Sequence, residues 1–426
     1  MAILIGVICY NNSKQKIRGD DNVDFHTRVI TLDTAEAAQR AMNDIGCDSG
    51  GTTIMHNKAL FRVIKVKGLA TKAANILKQT MLAKGGEAAV RRGTVDLSID
   101  KTDVLLCGTV RQYQQAIAQL KLQPWGLKQL ATELDNALAS AGGRLTRTWS
   151  WGDKKLVIEP NKTVVMGILN VTPDSFSDGG KFNSVDAAIA HLDEMIAAGA
   201  DIIDIGAEST RPYGGAEKVS AEEEKRRLLP ILKEVVKRTT VPISIDTYKA
   251  EVADMALDAG AHIINDVWGL QYDSGEMARV VAKHGVPIVV MHNGHEAVYS
   301  RDIISDLYTF FERSMAIGED AGIAKEQFII DPGIGFVKTF DHNMEIMARL
   351  EELHALRCPI LLGTSRKRFI GEVLDLPAGE RVEGTMATVA TGISKGIHIV
   401  RVHDVKEVKR MARMMDAIRQ VGENNG

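Results

Sequence analysis

Cysteine is scarce in this chain: Cys9, Cys47, Cys107 and Cys358 are the only four among 426 residues. None has the short-range spacing of a metal site, and each lies in or beside an apolar run. Buried free thiols in a reducing cytoplasm fit this pattern, and a disulfide-built scaffold does not. An excess of one charge is also missing. The formal net charge is −3, so bulk electrostatics point to neither a nucleic acid nor a membrane as partner. No apolar run approaches the length that spans a bilayer. Residues 1–10 are apolar, but no basic region precedes them and Asn11-Asn12 follows directly. They read as a first strand and not as a signal peptide. A Walker-type lysine loop is absent, and no glycine-rich dinucleotide turn follows the strand that ends at Asn170.

What is present is an ordinary globular composition in a chain long enough for more than one core. The most informative stretch is Met166-Gly-Ile-Leu-Asn-Val-Thr-Pro-Asp-Ser-Phe-Ser-Asp-Gly-Gly180. An apolar run stops at Asn170, a polar loop with a proline and two carboxylates follows, and helical spacing resumes over 185–198. A buried strand, a polar loop and a helix in that order are how a parallel α/β enzyme begins its active site. The unit then repeats. Strand candidates are 163–170, 201–206, 242–246, 262–266, 287–292, 327–331, 359–363 and 398–403. Each is short, rich in Ile and Val, and apolar on both faces, as strands covered by helices must be. Helical stretches between them include 221–238, 249–259, 303–321, 342–353 and 405–421. Eight such units in about 260 residues fit a closed (β/α)8 TIM barrel.

The chain divides near residue 140. Leu127, Leu130, Leu134 and Leu138 form a helical stripe that ends at Ser140-Ala-Gly-Gly143. Runs 145–151 and 154–158 flank Gly152-Asp153, a hairpin pattern. Residues 145–426 are therefore expected to form the barrel with an N-terminal hairpin, and residues 1–140 a smaller mixed α/β domain of unassigned function. Its expected strands are 4–10, 27–31, 59–65 and 104–107, and its helices 34–45, 70–83, 113–121 and 125–138. The stretch Lys84-Gly-Gly-Glu-Ala-Ala-Val90 reads as a helix stop followed by surface charge.

Barrel enzymes place their chemistry at the carboxyl ends of the strands. The residues there are Asn170, Glu208 with Thr210 and Arg211, Asp246, Asn265 with Asp266, Met291 with His292, Asp331, Lys367, and Arg401 with His403. Buried carboxylates need partners. Two carboxylates, an amide and an ammonium (Asp246, Asp331, Asn265, Lys367) suit a flat heterocycle with an amino-pyrimidinone edge, such as a pterin or guanine. Arg401 and His403 point the same way along one strand and, with Asn170, could hold an anionic group. His292, His295 and His342 lack metal-ligand spacing and read as loop or surface residues. The run Glu222-Glu-Glu-Lys-Arg-Arg227 reads as a solvated helix start.

The motifs Asn170-Val-Thr-Pro-Asp-Ser-Phe176, Glu208-Ser-Thr-Arg-Pro212, Ile245-Asp-Thr247, Ile264-Asn-Asp266, Asp331-Pro-Gly-Ile-Gly335, Ser365-Arg-Lys367 and Arg401-Val-His-Asp404 resemble, in order, those of dihydropteroate synthases. The resemblance runs from about residue 163 to the C-terminus. It implies joining of 6-hydroxymethyl-7,8-dihydropterin diphosphate to 4-aminobenzoate with release of diphosphate, in a homodimeric enzyme. It implies that Asp246, Asn265, Asp331 and Lys367 bind the pterin, with Met291 and Phe336 among the substrate-binding residues. It places Asn170 on a Mg2+–diphosphate group and Arg401 and His403 around the anion. Thr210, Arg211 and Pro212 belong to a second loop that closes over the aminobenzoate, while Phe176 and Asp178 help build that pocket from the first, Asp178 near the metal.

Two departures stand out. The spacer Tyr213–Lys218 is longer than the family pattern, and Lys367 is followed by Arg368 where serine is common. Arg368 either pairs with the aminobenzoate carboxylate or is a surface cation. A corrinoid methyltransferase of the pterin-barrel type would keep the Asp/Asn/Asp set but has no need of the Asn170 loop or of Arg401 and His403. A silent pterin-binding protein would be expected to have lost at least one motif residue, and this chain has lost none.

Overall fold

The computed structural model describes residues 26–171, 181–208, 219–300 and 302–425. The expected strand at 4–10 and the Tyr213–Lys218 spacer lie outside them.

The N-terminal part begins with α1 (Ala35–Asp44) and α2 (Ser49–Ala59). It continues through β1 (Phe61–Ala70), α3 (Thr71–Ala83), β2 (Glu87–Val90), β3 (Lys101–Thr109), α4 (Val110–Leu120) and α5 (Leu127–Ser140). Side-chain caps define several helix starts. Thr34 accepts from the Ala37 amide at 3.0 Å, and Thr109 with Gln112 forms a reciprocal capping box that sharply ends β3. The three strands make an antiparallel sheet in the order β1-β3-β2. Its core is Leu77, Met81, Leu106, Tyr113, Leu120, Leu127 and Leu134. The expected strand at 27–31 is not one; those residues have no regular secondary structure. Helix α2 and strand β2 were not anticipated. The first carries two glycines in its opening turn, and the second is only four residues long.

A hairpin follows, β4 (Arg147–Trp151) and β5 (Lys154–Ile158). The barrel strands are β6 (Val164–Asn170), β7 (Ile202–Gly206), β8 (Ile243–Asp246), β9 (Ile263–Asp266), β10 (Ile288–Met291), β11 (Phe328–Asp331), β12 (Leu361–Leu362) and β13 (Ile399–Val402). Helices α6 (Lys181–Ala197), α7 (Ala221–Arg238), α8 (Ala250–Asp258), α9 (Glu276–His284), α10 (Ile303–Ala321), α11 (Phe340–Ala348), α12 (Arg368–Leu374), α13 (Val382–Ser394) and α14 (Val405–Asn425) surround them. All strand pairs are parallel, running from β6 to β11 in chain order, with β13 between β12 and β6. An Ile330–Ile360 bridge joins β11 to the segment leading into β12 and closes the ring. The expected helix 342–353 divides into α11 and a 3-10 turn, Leu350–Leu356.

Alternation along the strands builds the interior in layers. The lower layer is apolar: Met166, Ile202, Ile263, Val289, Ile329, Leu361 and Ile399. Trp149, Leu156 and Ile158 of the hairpin join the same cluster, so the hairpin plugs the amino end of the barrel. Two residues further along β7, β9, β11 and β13 the positions are polar, Asp204, Asn265, Asp331 and Arg401, and there the site begins.

Candidate active site

Asp204 from β7, Asp246 from β8, Asn265 from β9, Asp331 from β11 and Arg401 from β13 converge in that upper layer. Arg401 organises it: Nε donates to Asp204 Oδ2 at 2.6 Å and Nη2 to Asp246 Oδ2 at 2.7 Å. Asn265 Nδ2 also donates to Asp204 Oδ2, at 3.2 Å. The other carboxylate oxygens, Asp204 Oδ1 and Asp246 Oδ1, are buried with no hydrogen-bond partner among the described residues. Asp331 is anchored by one oxygen, which accepts from the Gly333 amide at 2.7 Å. Burial pushes Asp246 up to about 7, with Arg401 pulling it down and Asp204 pushing it further up. Burial raises Asp331 to about 6 against the Gly333 amide, Lys367 and Arg401. Such acceptors are costly in a dry interior unless a donor arrives.

Lys367 stands at the N-cap of α12. Its ammonium lies 4.0 Å from the centroid of the Phe336 ring, a cation–π contact. Gly335, at φ +79°, makes room for it: a Cβ there would come within 2.9 Å of Lys367 Cδ. Met291 and Phe336 share an apolar cluster with Tyr248 and Val267, which walls one side. Asn170 ends β6 opposite Gly206. His403 sits at the end of β13, its Nδ1 2.9 Å from Ser365 Oγ. The neighbouring Arg366 is fixed by Asp404. Arg368 is mostly exposed and its Nε donates to Glu372 Oε1 at 2.7 Å. Phe176, Asp178, Thr210, Arg211 and Pro212 lie outside the described residues.

Several residues differ from their sequence reading. Asp204 was not anticipated; its only signal is a carboxylate inside the apolar run Ile-Ile-Asp-Ile. His292 is not a surface residue. It is buried, 4.8 Å from the Phe310 ring, and 2.9 Å from Lys338 Nζ through Nδ1. Glu224 is not solvated either. Lys249 Nζ bridges Glu224 at 2.6 Å and Glu208 at 2.5 Å, all three largely buried. Glu208 also accepts from the Val219 amide at 3.2 Å, which pins the far end of the second loop. Asp266 turns back to accept from the Trp268 and Leu270 amides, so it shapes the β9 loop. His295 is exposed against Trp268, and His342 caps α11 with Thr339.

A closed barrel whose mouth holds carboxylates, an amide and a lysine, with unsatisfied acceptors aimed inward, defines a heterocycle-binding barrel enzyme. Residues 166–403 match the pterin binding enzyme family. Dihydropteroate synthase of Bacillus subtilis (strain 168) is 57% identical over 261 residues, covering 61% of this chain and 90% of that protein. A crystal structure of the Clostridium difficile dihydropteroate synthase in the presence of pteroic acid is 50% identical. It superposes with a TM-score of 0.59 over 60% of this chain and 97% of that one. The chain therefore belongs to the dihydropteroate synthases, within the pterin-binding enzymes. The N-terminal part also has a relative. A probable bifunctional folylpolyglutamate synthase/dihydropteroate synthase of Halobacterium salinarum is 38% identical over 395 residues, 91% of this chain but 46% of that protein.

Proposed function

We propose that this chain condenses 6-hydroxymethyl-7,8-dihydropterin diphosphate with 4-aminobenzoate, giving 7,8-dihydropteroate and diphosphate in folate biosynthesis. Family membership supports the reaction. The observation that carries the site reading is the pair of unpartnered buried oxygens, Asp204 Oδ1 and Asp246 Oδ1. An aminopyrimidinone edge offers N–H donors to both kinds of position, and Asn265 can donate and accept beside them. Asp331 takes a further ring N–H, and Lys367 donates to a ring carbonyl or nitrogen. Phe336 and Met291 cover the ring.

In the reaction the C–O bond to diphosphate breaks, and its electron pair leaves with the diphosphate. Positive charge develops on the exocyclic methylene, delocalised into the ring, where Asp331 and Asp246 favour it electrostatically. The aniline nitrogen of 4-aminobenzoate then forms the C–N bond with its lone pair and loses a proton. Arg401, whose plane is already set by Asp204 and Asp246, and His403 face the departing anion. Asn170 offers one side-chain oxygen at the end of β6. Magnesium keeps much of its water and is held largely by substrate phosphates, so few protein groups would be needed, Asn170 among the described residues. When bound, magnesium would neutralise charge on the leaving diphosphate. The loops carrying Phe176 and Asp178, and Thr210, Arg211 and Pro212, form the aminobenzoate pocket in this reading, and their closure gates the step. Arg368, turned to Glu372, is a surface cation in this reading.

A homodimer through barrel helices accords with an exposed apolar stripe on α14, Met414, Ile418 and Val421. No helix among the described residues is long and apolar enough to cross a membrane; a cytoplasmic location remains part of this proposal. Purified protein with both substrates and Mg2+ should release diphosphate. Absence of release alongside tight pterin binding by calorimetry would leave a binding protein and sink the enzyme reading.

A further inference from the structure

Behind the pocket wall lies a lysine that the proposed chemistry does not use. Lys338 follows β11 in the loop before α11 and is buried. Its ammonium sits among four acceptors: Gly333 O at 2.9 Å, Phe336 O at 3.2 Å, His292 O at 3.3 Å and His292 Nδ1 at 2.9 Å. Two of these belong to the loop leaving β11 and two to the end of β10, so one side chain joins two adjacent strand ends. The approach is close. Gly333 has φ +65°, and a Cβ there would stand 2.0 Å from the His292 carbonyl oxygen. Tyr299 adds a second tie, donating to Val337 O at 2.6 Å.

We propose that Lys338 is a positioning residue for the pterin pocket: its ammonium, held by the carbonyls of His292, Gly333 and Phe336, fixes the loop that presents Asp331 and Phe336 to the ring. This inference rests on the pterin reading of the pocket. Without the ammonium, the buried carbonyls of His292 and Phe336 would lose their donor, and Gly333 O would keep only the Phe336 amide at 3.1 Å. The Gly333 amide that anchors Asp331 and the Phe336 ring beneath Lys367 are both in that loop, so both would lose their placement.

The charged groups facing Lys338 are Asp331 on β11 and Lys367 at the start of α12, with the His292 ring from β10. Burial lowers Lys338 to about 7; Asp331 holds it up and Lys367 pushes it down. Acceptance at Nδ1 puts the ring proton of His292 on Nε2, and burial followed by the Lys338 charge keeps that ring neutral. Reciprocally, the Lys338 charge is one of the influences that hold Asp331 down against its burial. Losing that charge therefore lets Asp331 protonate at higher pH.

The test uses full-length protein carrying Lys338→Met or Lys338→Arg. Binding of 6-hydroxymethyl-7,8-dihydropterin is followed by calorimetry from about pH 5 to about pH 8, between ordinary carboxylate and lysine behaviour. Lys338→Met should weaken binding about tenfold or more, the equivalent of one lost buried hydrogen-bond set, and move the acid limb of binding to higher pH. KM for the dihydropterin diphosphate should rise while KM for 4-aminobenzoate stays near that of the parent. Lys338→Arg, which keeps the charge, should return the acid limb toward the parent position. A folded Lys338→Met protein with parental affinity and an unmoved acid limb overturns the proposal. Should that variant not fold, lysine-selective 15N spectra of the unmodified protein decide. At about pH 6 one ammonium must be protected from exchange and perturbed by the pterin; absence of that signal overturns the proposal. If the unmodified protein binds no pterin, the pocket reading itself fails, and this inference falls with it.

Discussion

Arg401 and Asp246 meet at 2.7 Å across the barrel mouth, β13 to β8, while the same guanidinium holds Asp204 at 2.6 Å. One cation thus compensates two buried carboxylates. Replacing Arg401 with methionine strands both. Breaking a buried pair in this way costs about 3–5 kcal/mol, so the urea midpoint should fall markedly and pterin binding should be lost. A midpoint within error of the parent would show that the pairing has no structural weight.

Asp246 and Asp331 respond to pH in opposite senses for binding and for stability. Burial raises both, to about 7 and about 6, and in the proposed site both would have to be ionised to accept pterin N–H groups. Pterin affinity should therefore decline as pH falls from about 7 to about 5. Their unfolded values lie near the ordinary 3.8. The folded state binds protons more tightly, so their stabilising contribution is complete below about 4 and is lost as pH rises through the folded values. Melting curves with and without pterin across this range check both signs. A ligand-induced shift that grows toward acid pH would contradict the assignment.

Lys249 lies between Glu208 and Glu224. Lys249→Met leaves two buried acids uncompensated and should cost about 3–5 kcal/mol. Glu224→Gln should cost less, because burial already raises that carboxyl toward its neutral form. Since Glu208 also holds the Val219 amide, Lys249→Met should raise KM for aminobenzoate as well. Equal denaturation midpoints for the two variants would refute the ion-pair account.

Lys65 on β1 donates to Asp302 Oδ2 at 2.6 Å, and Arg349 lies 3.1 Å from the other oxygen. This ties the N-terminal part to the segment that starts α10. Lys65 is substantially exposed, so Lys65→Met should cost no more than about 1 kcal/mol. Asp302→Asn should cost more, because it removes the charge that faces Arg349 as well as Lys65. A double-mutant cycle measures the coupling; a value of zero would make the contact incidental.

The sequence made the barrel legible because parallel strands buried on both faces have little choice but Ile and Val, and each run breaks visibly at a polar end. Asn170, Asp246, Asn265 and Asp331 lie at such breaks, Lys367 and His403 just beyond theirs, and Arg401 is marked by its alternation with His403. Asp204 was hidden because it lies inside a strand, where nothing marks an inward carboxylate until its partner across the ring is known. Glu224 was hidden by its charged neighbours. Its spacing to Leu228, Ile231 and Val235, the buried stripe of α7, was the available signal. Lys338 and His292 reveal themselves only together, because neither has a reason to be buried alone. In the N-terminal part, β2 and α2 escaped because four residues and a glycine-rich opening give almost no periodicity.

The β4–β5 hairpin has a consequence for traffic. With Trp149, Leu156 and Ile158 sealing the floor, the barrel formed by the described residues opens at its carboxyl end and not at its amino end. Whatever rests on the polar layer entered first and must leave last. In the proposed arrangement a compound lodged above that layer would act as a stopper, so a pterin beneath an aminobenzoate mimic is expected to leave slowly.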